Sequence, residues 1–267
     1  MFILCFHSPA NAKIDLVKEI KDVVKDQNAS VYVTDPKGNP IIAINEGVKL
    51  APASILKIVT ASAAYHYLKD DFRFLTEFYL DDANNLYIKG YGDPLLISEE
   101  LDLISTFFKE NGIVKINSIF LDNSYFAKDI KIDGVENSLN PYDATNGALC
   151  VNFNTVMIKI TSSSKVISAE EQTPMTDYAR DLVKKSGFKS KNKKERLILS
   201  HEKDETLYYT GHLFKKFLTM EGIKVSGTIK KKMLPKSGVK LIKKHFSSKS
   251  LNDVVSSMMK YSNNFTA

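Results

Sequence analysis

Apolar and polar positions along this chain alternate with two different periods, and the switches between them outline its elements. Helical spacing marks IDLVKEIKDVVK (14–25). The strand-like runs SVYVTD (30–35) and IIAINEG (41–47), separated by PKGNP, predict a hairpin. PASILKIVTASAAYHYL (52–68) predicts a helix that is apolar on nearly every side, entered by a proline suited to a first turn. FLTEFYLDD and NLYIKGYGDP predict paired strands, LDLISTFFKENG (101–112) a helix closed by glycine, INSIFLDNSYF (116–126) a strand and ALCVNFNTVMIKI (148–160) a longer one. Beyond a basic region come a helix at LYYTGHLFKKFLTMEG (207–222), a strand at KVSGTIKKK (224–232) and a closing helical stretch in SLNDVVSSMMKYSNNFTA. No internal repeat is visible. The pattern predicts an α+β fold with mixed antiparallel strands and helices rather than a regular strand-helix-strand alternation.

Composition narrows the class. The 267 residues are 43% hydrophobic and 10% aromatic, enough for a packed core, and no run approaches the roughly 18 apolar residues of a membrane-spanning helix. The formal charge of +6 is concentrated in KKSGFKSKNKKER (184–196) and IKKKMLPK (229–236). Lacking interleaved aromatics or a nucleic-acid motif, these stretches are expected to be solvated loops or faces, with an anion-binding surface as the rival reading. At the N-terminus, MFILCFHSPANAK sets an apolar run before Ala10-Asn11-Ala12, a small-x-small pattern. Residues 1–12 are therefore expected to be a signal-peptide remnant and the protein to be secreted or periplasmic; a buried first strand is the alternative. Cys5 would leave with the signal, so Cys150 would have no disulfide partner and is expected to fill a strand core.

The apolar helix at 52–68 carries Ser54 and Lys57 one turn apart, a nucleophile beside a base. Burial among Ile55, Leu56, Ile58 and Val59 would disfavour the ammonium form, the condition a lysine needs to accept a serine proton. The S-x-x-K spacing also occurs at Ser162/Lys165, Ser186/Lys189, Ser190/Lys193, Ser237/Lys240 and Ser257/Lys260. The first four of these lie in polar, loop-like stretches, and in the helical fifth Lys260 is expected to face solvent.

What separates Ser54 and Lys57 from the others is the motif Ser262-x-Asn264 near the far end of the chain. S-x-x-K with a later S-x-N belongs to the penicillin-recognising serine enzymes. PASILKIVTASAAYHYL resembles the nucleophile segment of the D-alanyl-D-alanine carboxypeptidases of the penicillin-binding-protein-4-like (S13 peptidase) family, and YSNN resembles its second motif. The long separation of the two motifs is similar to the family's large insert. LYIKGYGDPLL (86–96), LDNSYF (121–126), PYDATNGALCVNFNTV (141–156) and LYYTGHLFKKFLTMEGIKVSG (207–227) resemble family segments in the same order.

The resemblance implies a transpeptidase-like domain made of residues 13–76 and 245–267, interrupted by an inserted α+β domain, or two nested ones, at 77–244. It implies Ser54 as nucleophile, Lys57 as general base, Ser262 as proton relay, Asn264 as a substrate-amide contact that steadies Lys57, and the Ser54 backbone N–H as an oxyanion donor. Tyr142 falls near the position that lines the pocket for the acyl donor's side chain. Peptidoglycan stem peptides are the implied substrate and β-lactams the implied covalent inhibitors. No cofactor, metal, nucleic-acid partner or transmembrane segment is expected. The family's third motif, K-T-G, does not follow Asn264; Lys185-Ser186-Gly187 and Lys236-Ser237-Gly238 come too early and read as turns. The chain is therefore expected to be a C-terminally truncated member, weak or inactive as an enzyme, with a non-catalytic wall-binding protein as the alternative and a β-lactamase a more distant one. The five histidines form no H-x-x-x-H pattern and there is no C-x-x-C, so no zinc site is expected. GYGDP reads as a turn, not a dinucleotide loop.

Overall fold

The computed structural model describes residues 16–25, 28–127, 130, 132 and 135–267, so the expected signal remnant and Cys5 lie outside the described residues. The chain divides into two compact units, one ending at Leu56 and the other running Lys57–Ala267. In the first, α1 (Leu16–Val24) precedes the predicted hairpin of β1 (Val31–Thr34) and β2 (Pro40–Ile44), which pair antiparallel. The Asp35 carboxylate organises the hairpin turn by accepting from the backbone N–H groups of Lys37 (2.8 Å) and Asn39 (2.9 Å). The unit closes with a 3-10 turn, Ala53–Ile55, led by Pro52.

The second unit begins with α2 (Leu56–Leu68), β3 (Leu75–Asp81), β4 (Leu86–Gly90), α3 (Ser98–Glu110), β5 (Lys115–Ile116) and β6 (Ile119–Asp122). It continues with β7 (Thr155–Ile160), β8 (Val166–Ser168), α4 (Asp177–Lys185), β9 (Lys194–Ile198) and α5 (Lys203–Met220). Last come β10 (Lys224–Val225), β11 (Ile229–Lys231), β12 (Val239–Phe246) and α6 (Leu251–Tyr261). Five strands form one sheet in the order β11-β6-β4-β3-β12, parallel from β11 to β4 and antiparallel from β4 to β12. β8, β7 and β9 form a smaller antiparallel sheet, and β10 pairs with β5.

Alternation along the strands sends Phe78, Leu86, Ile88, Ile119 and Leu121 to one face, all 0% exposed, against Leu101, Ile104 and Phe108 of α3 and Leu213 and Phe214 of α5. Gly211 lets α5 approach closely: a Cβ there would lie 2.5 Å from Ile229 Cγ2 and 2.9 Å from Leu121 Cδ1. A second, smaller core joins Ala61 of α2 to Leu251, Val255 and Met258 of α6, with Phe72 and Phe74 packed against it.

Several sequence expectations need correction. The strand expected over 148–160 starts only at Thr155, because Asn152, Phe153 and Asn154 all take positive φ (49°, 60° and 53°). Buried hydrogen bonds hold that kink: Asn152 Oδ1 accepts from the Ser98 backbone N–H (2.9 Å) and Asn154 Nδ2 donates to the Thr145 carbonyl (2.6 Å). Cys150 is accordingly buried in this irregular segment and not in a strand; burial pushes its thiol up to about 12. The strand expected over 224–232 splits into β10 and β11 at Gly227, where a Cβ would meet the Asn117 carbonyl at 2.7 Å. The basic stretches are not simply loops: β9 takes up Lys194–Arg196 and β11 Ile229–Lys231. Arg196 is held in its strand by an ion pair to Glu170 and by donation to Thr155 Oγ1 (3.0 Å). β12, the longest strand, was not expected. The turns read at both K-S-G sequences are present, with Gly187 and Gly238 at φ +74°.

Candidate active site

α6 is built to end where it does. Its Ser250 and Asp253 form a reciprocal capping box, with Asp253 Oδ2 accepting from the Ser250 N–H (3.0 Å) and Ser250 Oγ from the Asp253 N–H (3.3 Å). Leu251, Val254, Val255 and Met258 supply the buried stripe. At the far end Ser262 adopts the left-handed conformation, φ 51° and ψ 40°, as C-cap. The residues after it fold back: the Asn263 N–H donates to the Met258 carbonyl (3.1 Å), and Asn263 Oδ1 accepts from the Thr266 N–H (3.0 Å). Asn264 is carried on this fixed turn.

Lys57 meets it. The ammonium of Lys57 donates to Asn264 Oδ1 at 2.6 Å, linking residues 207 positions apart, and the lysine is only 7% exposed. A cation-assisted bond of this length is among the stronger side-chain contacts. The expected reason for the burial is wrong: Ile55, Leu56, Ile58 and Val59 are 71%, 55%, 54% and 63% exposed. Residues one and two positions away on a helix lie on other faces, so they cannot enclose a lysine; residues three and four away can. Lys57 and Ala61 are the buried residues of α2. Along the same side, Thr60, Ala61, Ala64 and Leu68 line a cavity of about 260 Å³ together with α6 and the Gly92–Pro94 turn.

Ser54 lies in the 3-10 turn of the first unit and is exposed. Its neighbour Ala53 holds φ at 46°, where Cβ makes the backbone costly for a non-glycine residue. Ser262 is half-buried at its cap. Tyr142 sits in the turn Pro141–Asp143, 55% exposed, its backbone N–H capped by Asn140 Oδ1 (3.0 Å). Lys260 faces solvent on α6, as expected, and Ser257 is exposed beside it.

A buried polar cluster escaped the sequence reading. His245 of β12 brings Nε2 to 3.0 Å from Glu100 Oε2 of α3, both side chains under 10% exposed, and Asp93 lies close by. The contact from His245 holds the Glu100 carboxyl below its ordinary range, whereas burial pushes Asp93 up to about 6. The cluster adjoins the segment that leads into α6, where the Ser247 N–H donates to the Phe74 carbonyl (2.8 Å) and the Leu251 N–H to the Phe72 carbonyl (2.7 Å). His245 is distant in sequence from Glu100 and Asp93, and the three conform to no motif. Only the pairing of β12 with β3 brings them together.

Comparison with known proteins gives these features a family. The model of the D-Ala-D-Ala carboxypeptidase 3 (S13) family matches residues 11–202 and 189–267. A D-alanyl-D-alanine carboxypeptidase of Actinomadura sp. (strain R39) is 23% identical over 293 residues, covering 94% of this chain and 54% of that protein. The crystal structure of penicillin binding protein 4 from Haemophilus influenzae superposes with a TM-score of 0.66 at 22% identity, covering 86% of this chain and 58% of that one. The same protein complexed with a β-lactam gives 0.60 at 22% identity, covering 86% and 57%. The chain thus spans little more than half the length of these relatives, and the expected α+β architecture of penicillin-binding proteins is the fold it has. The chain belongs to the D-Ala-D-Ala carboxypeptidase 3 (S13) family.

Proposed function

We propose that this protein is a serine-type D-alanyl-D-alanine peptidase acting on peptidoglycan stem peptides outside the cytoplasm, and that β-lactams acylate the same serine. The observation that carries the reading is the 2.6 Å bond from buried Lys57 to Asn264, which ties the lysine of the S-x-x-K motif to the asparagine of the S-x-N motif. An ammonium so placed costs solvation free energy, and the cost is understandable where a proton is to be moved. In the proposed reaction Lys57 takes the Ser54 hydroxyl proton as Oγ attacks the carbonyl of the penultimate D-alanine. The Ser54 backbone N–H donates to the developing oxyanion. Collapse breaks the peptide bond, and Ser262 passes the proton from Lys57 to the departing D-alanine amine. Asn264 holds the substrate amide and keeps Lys57 in register, and Tyr142 is assigned to the donor side-chain pocket. Water, deprotonated by the same relay, then hydrolyses the ester.

The proposed catalytic domain comprises residues 13–76 and 245–267, with 77–244 inserted. The shared core of Ala61, Leu251, Val255 and Met258 supports its second half. The test is covalent labelling by a fluorescent penicillin. The protein should label, Ser54→Ala should not, and Lys57→Ala should label about 10²- to 10⁴-fold more slowly. Labelling that survives Ser54→Ala would move the nucleophile elsewhere. A folded protein that takes no label would favour a non-catalytic wall-binding member of the family.

A further inference from the structure

The five-stranded sheet has a second face, turned away from α3 and α5, and its residues fall into cross-strand rows. The register aligns Lys89 with Asp122 and Glu77, and Glu77 with Lys244. Lys232, whose N–H extends the β11 ladder to the Leu121 carbonyl (3.0 Å), completes this row beside Asp122. Lysine and carboxylate thus alternate across five strands. The next row reads Lys230, Phe120, Tyr87, Tyr79, Leu241.

The two rows do not present their charges equally. Glu77 and Asp122 are 5% and 2% exposed. Glu77 accepts from the Tyr91 (2.6 Å) and Tyr79 (2.8 Å) hydroxyls, and Asp122 from the Ser124 and Leu234 N–H groups (2.9 and 2.8 Å). Asp81, at the end of the face, is taken up by its own turn through Ala83 and Asn85. The lysines lie outermost. Lys230 and Lys232 are exposed, Lys232 has its ammonium 4.5 Å from the Phe120 ring centroid and 5.3 Å from that of Tyr87, and Lys244 keeps half its side chain in solvent. The Lys232 ammonium also donates to the Tyr87 hydroxyl (3.1 Å), and that of Lys244 lies 3.4 Å from Glu77, so both are held to the face on their inner side and meet water on their outer side. With strands about 4.8 Å apart, anchors on every second strand recur at intervals of about 10 Å. Lys236, also exposed, extends the positive field between the two edges.

We infer that this sheet face docks a linear, base-free phosphodiester polymer, which crosses the strands from β11 to β12 with its phosphates on Lys232, Lys230, Lys89 and Lys244. Charge complementarity carries the assignment. A nucleic acid would need open rings for its bases along the phosphate path, yet Tyr87 is 3% exposed beneath Lys232, and the open rings of Tyr125 and Phe246 stand to one side of the two rows. A lipid surface would need apolar side chains spread over the face, yet within the two rows the exposed one is Leu241 on the β12 edge. The inference uses the sheet only and is independent of the peptidase reading. It also accounts for Lys230 and Lys232, which the proposed active site leaves unused; Lys231 is turned to the other face and pairs with Asp204 (2.7 Å).

Binding is measured by fluorescence anisotropy with labelled poly(glycerol phosphate), over a salt series, for the unaltered chain, Lys230→Gln/Lys232→Gln, Lys244→Gln and a control, Lys215→Gln/Lys216→Gln on α5. Thermal melts establish that each variant is folded, and the two face variants, on opposite edges, back each other up. The expected result is salt-sensitive binding, weakened about tenfold by either face variant, with the salt slope reduced by roughly one to two, and unchanged in the control. The inference is overturned by equal weakening in the control or by no effect of either face variant. It is also overturned by absence of polymer binding at low salt, by oligo(dT) binding tenfold more tightly, or by binding to phosphatidylglycerol vesicles in preference to the polymer.

Discussion

α5 buries Leu207, Tyr209, Leu213, Phe214, Phe217 and Leu218 to 3% exposure or less and leaves Lys216 in solvent. α2 does the reverse: Lys57 is inside, and Ile58, Val59 and Tyr67 are 54%, 63% and 79% exposed. Both sequences are rich in apolar residues, so hydropathy does not decide between them; the neighbouring elements do. α5 lies on a sheet whose strands offer an apolar face, and Gly211 removes the side chain that would hold it off. α2 faces α6 along one stripe only, and at the head of that stripe stands the amide oxygen of Asn264. Desolvating an ammonium costs several kcal/mol, and charge-assisted bonds return about 1.5–3 kcal/mol each. α5 is therefore arranged for stability, and α2 holds an arrangement that stability alone would not select.

The largest expected effect separates those two purposes. Lys57→Ala should slow penicillin labelling by about 10²- to 10⁴-fold while changing the urea-unfolding free energy by less than about 1 kcal/mol, because the alanine removes a buried charge and Asn264 is itself exposed to water. Phe214→Ala on α5 should do the opposite. It leaves a cavity beneath Phe78 and Phe108 and should cost about 3–5 kcal/mol, with labelling of the folded fraction unaltered. If Lys57→Ala unfolded the protein as severely as Phe214→Ala, the distinction between the two helices would be lost.

The stripe of α5 was legible in the sequence because its apolar residues recur at helical spacing and nothing interrupts them. The β1–β2 and β3–β4 pairs were legible for the corresponding reason, strand alternation bounded by turn residues. β12 was not: its lysines at an exposed sheet edge read as a polar stretch, and the register shift between Leu241 and Lys243 breaks the alternation. Lys57 and Asn264 were legible as motif residues, but the exposure of their neighbours was not, since it depends on what packs against α2. The cluster of His245, Glu100 and Asp93 carries no local signal at all, because His245 reaches the other two only through the pairing of β12 with β3.

That cluster tests the comparison at an intermediate scale, through the segment joining β12 to α6. Glu100 is held below its ordinary value, so its contribution is present above pH about 4.5 and is lost as pH falls through the folded-state value. Asp93 has the opposite sign. With its carboxyl pushed up to about 6, the folded state holds the proton more tightly than the unfolded chain, and stability falls as pH rises from about 4 to 6. Asp93→Asn should flatten that segment of the stability curve and add about 1–2 kcal/mol at pH 7.5, because the amide oxygen can still accept from the Leu95 N–H. Chemical denaturation at pH 4, 5, 6 and 7.5 measures it. A variant less stable than the parent at every pH would mean that the Asp93 carboxylate is a structural anchor, not a strained buried charge.

The smallest expected effect lies on the open side of α2. Val59 is 63% exposed, so Val59→Ser removes little buried area and should change the unfolding free energy by no more than about 0.5 kcal/mol. Leu213→Ala on α5, where the parent side chain is 0% exposed, should cost about 2–5 kcal/mol. The contrast is sharpened by repeating the Val59→Ser measurement across a hundredfold range of protein concentration. A helix that is apolar all round is ordinarily a covered helix, and cover supplied by a second copy would make both the parent's midpoint and the cost of Val59→Ser rise with concentration. A cost near zero at every concentration leaves Ile58, Val59 and Tyr67 as solvent-facing residues of a helix whose position is set by Ala61 packing on α6 and by the bond from Lys57 to Asn264.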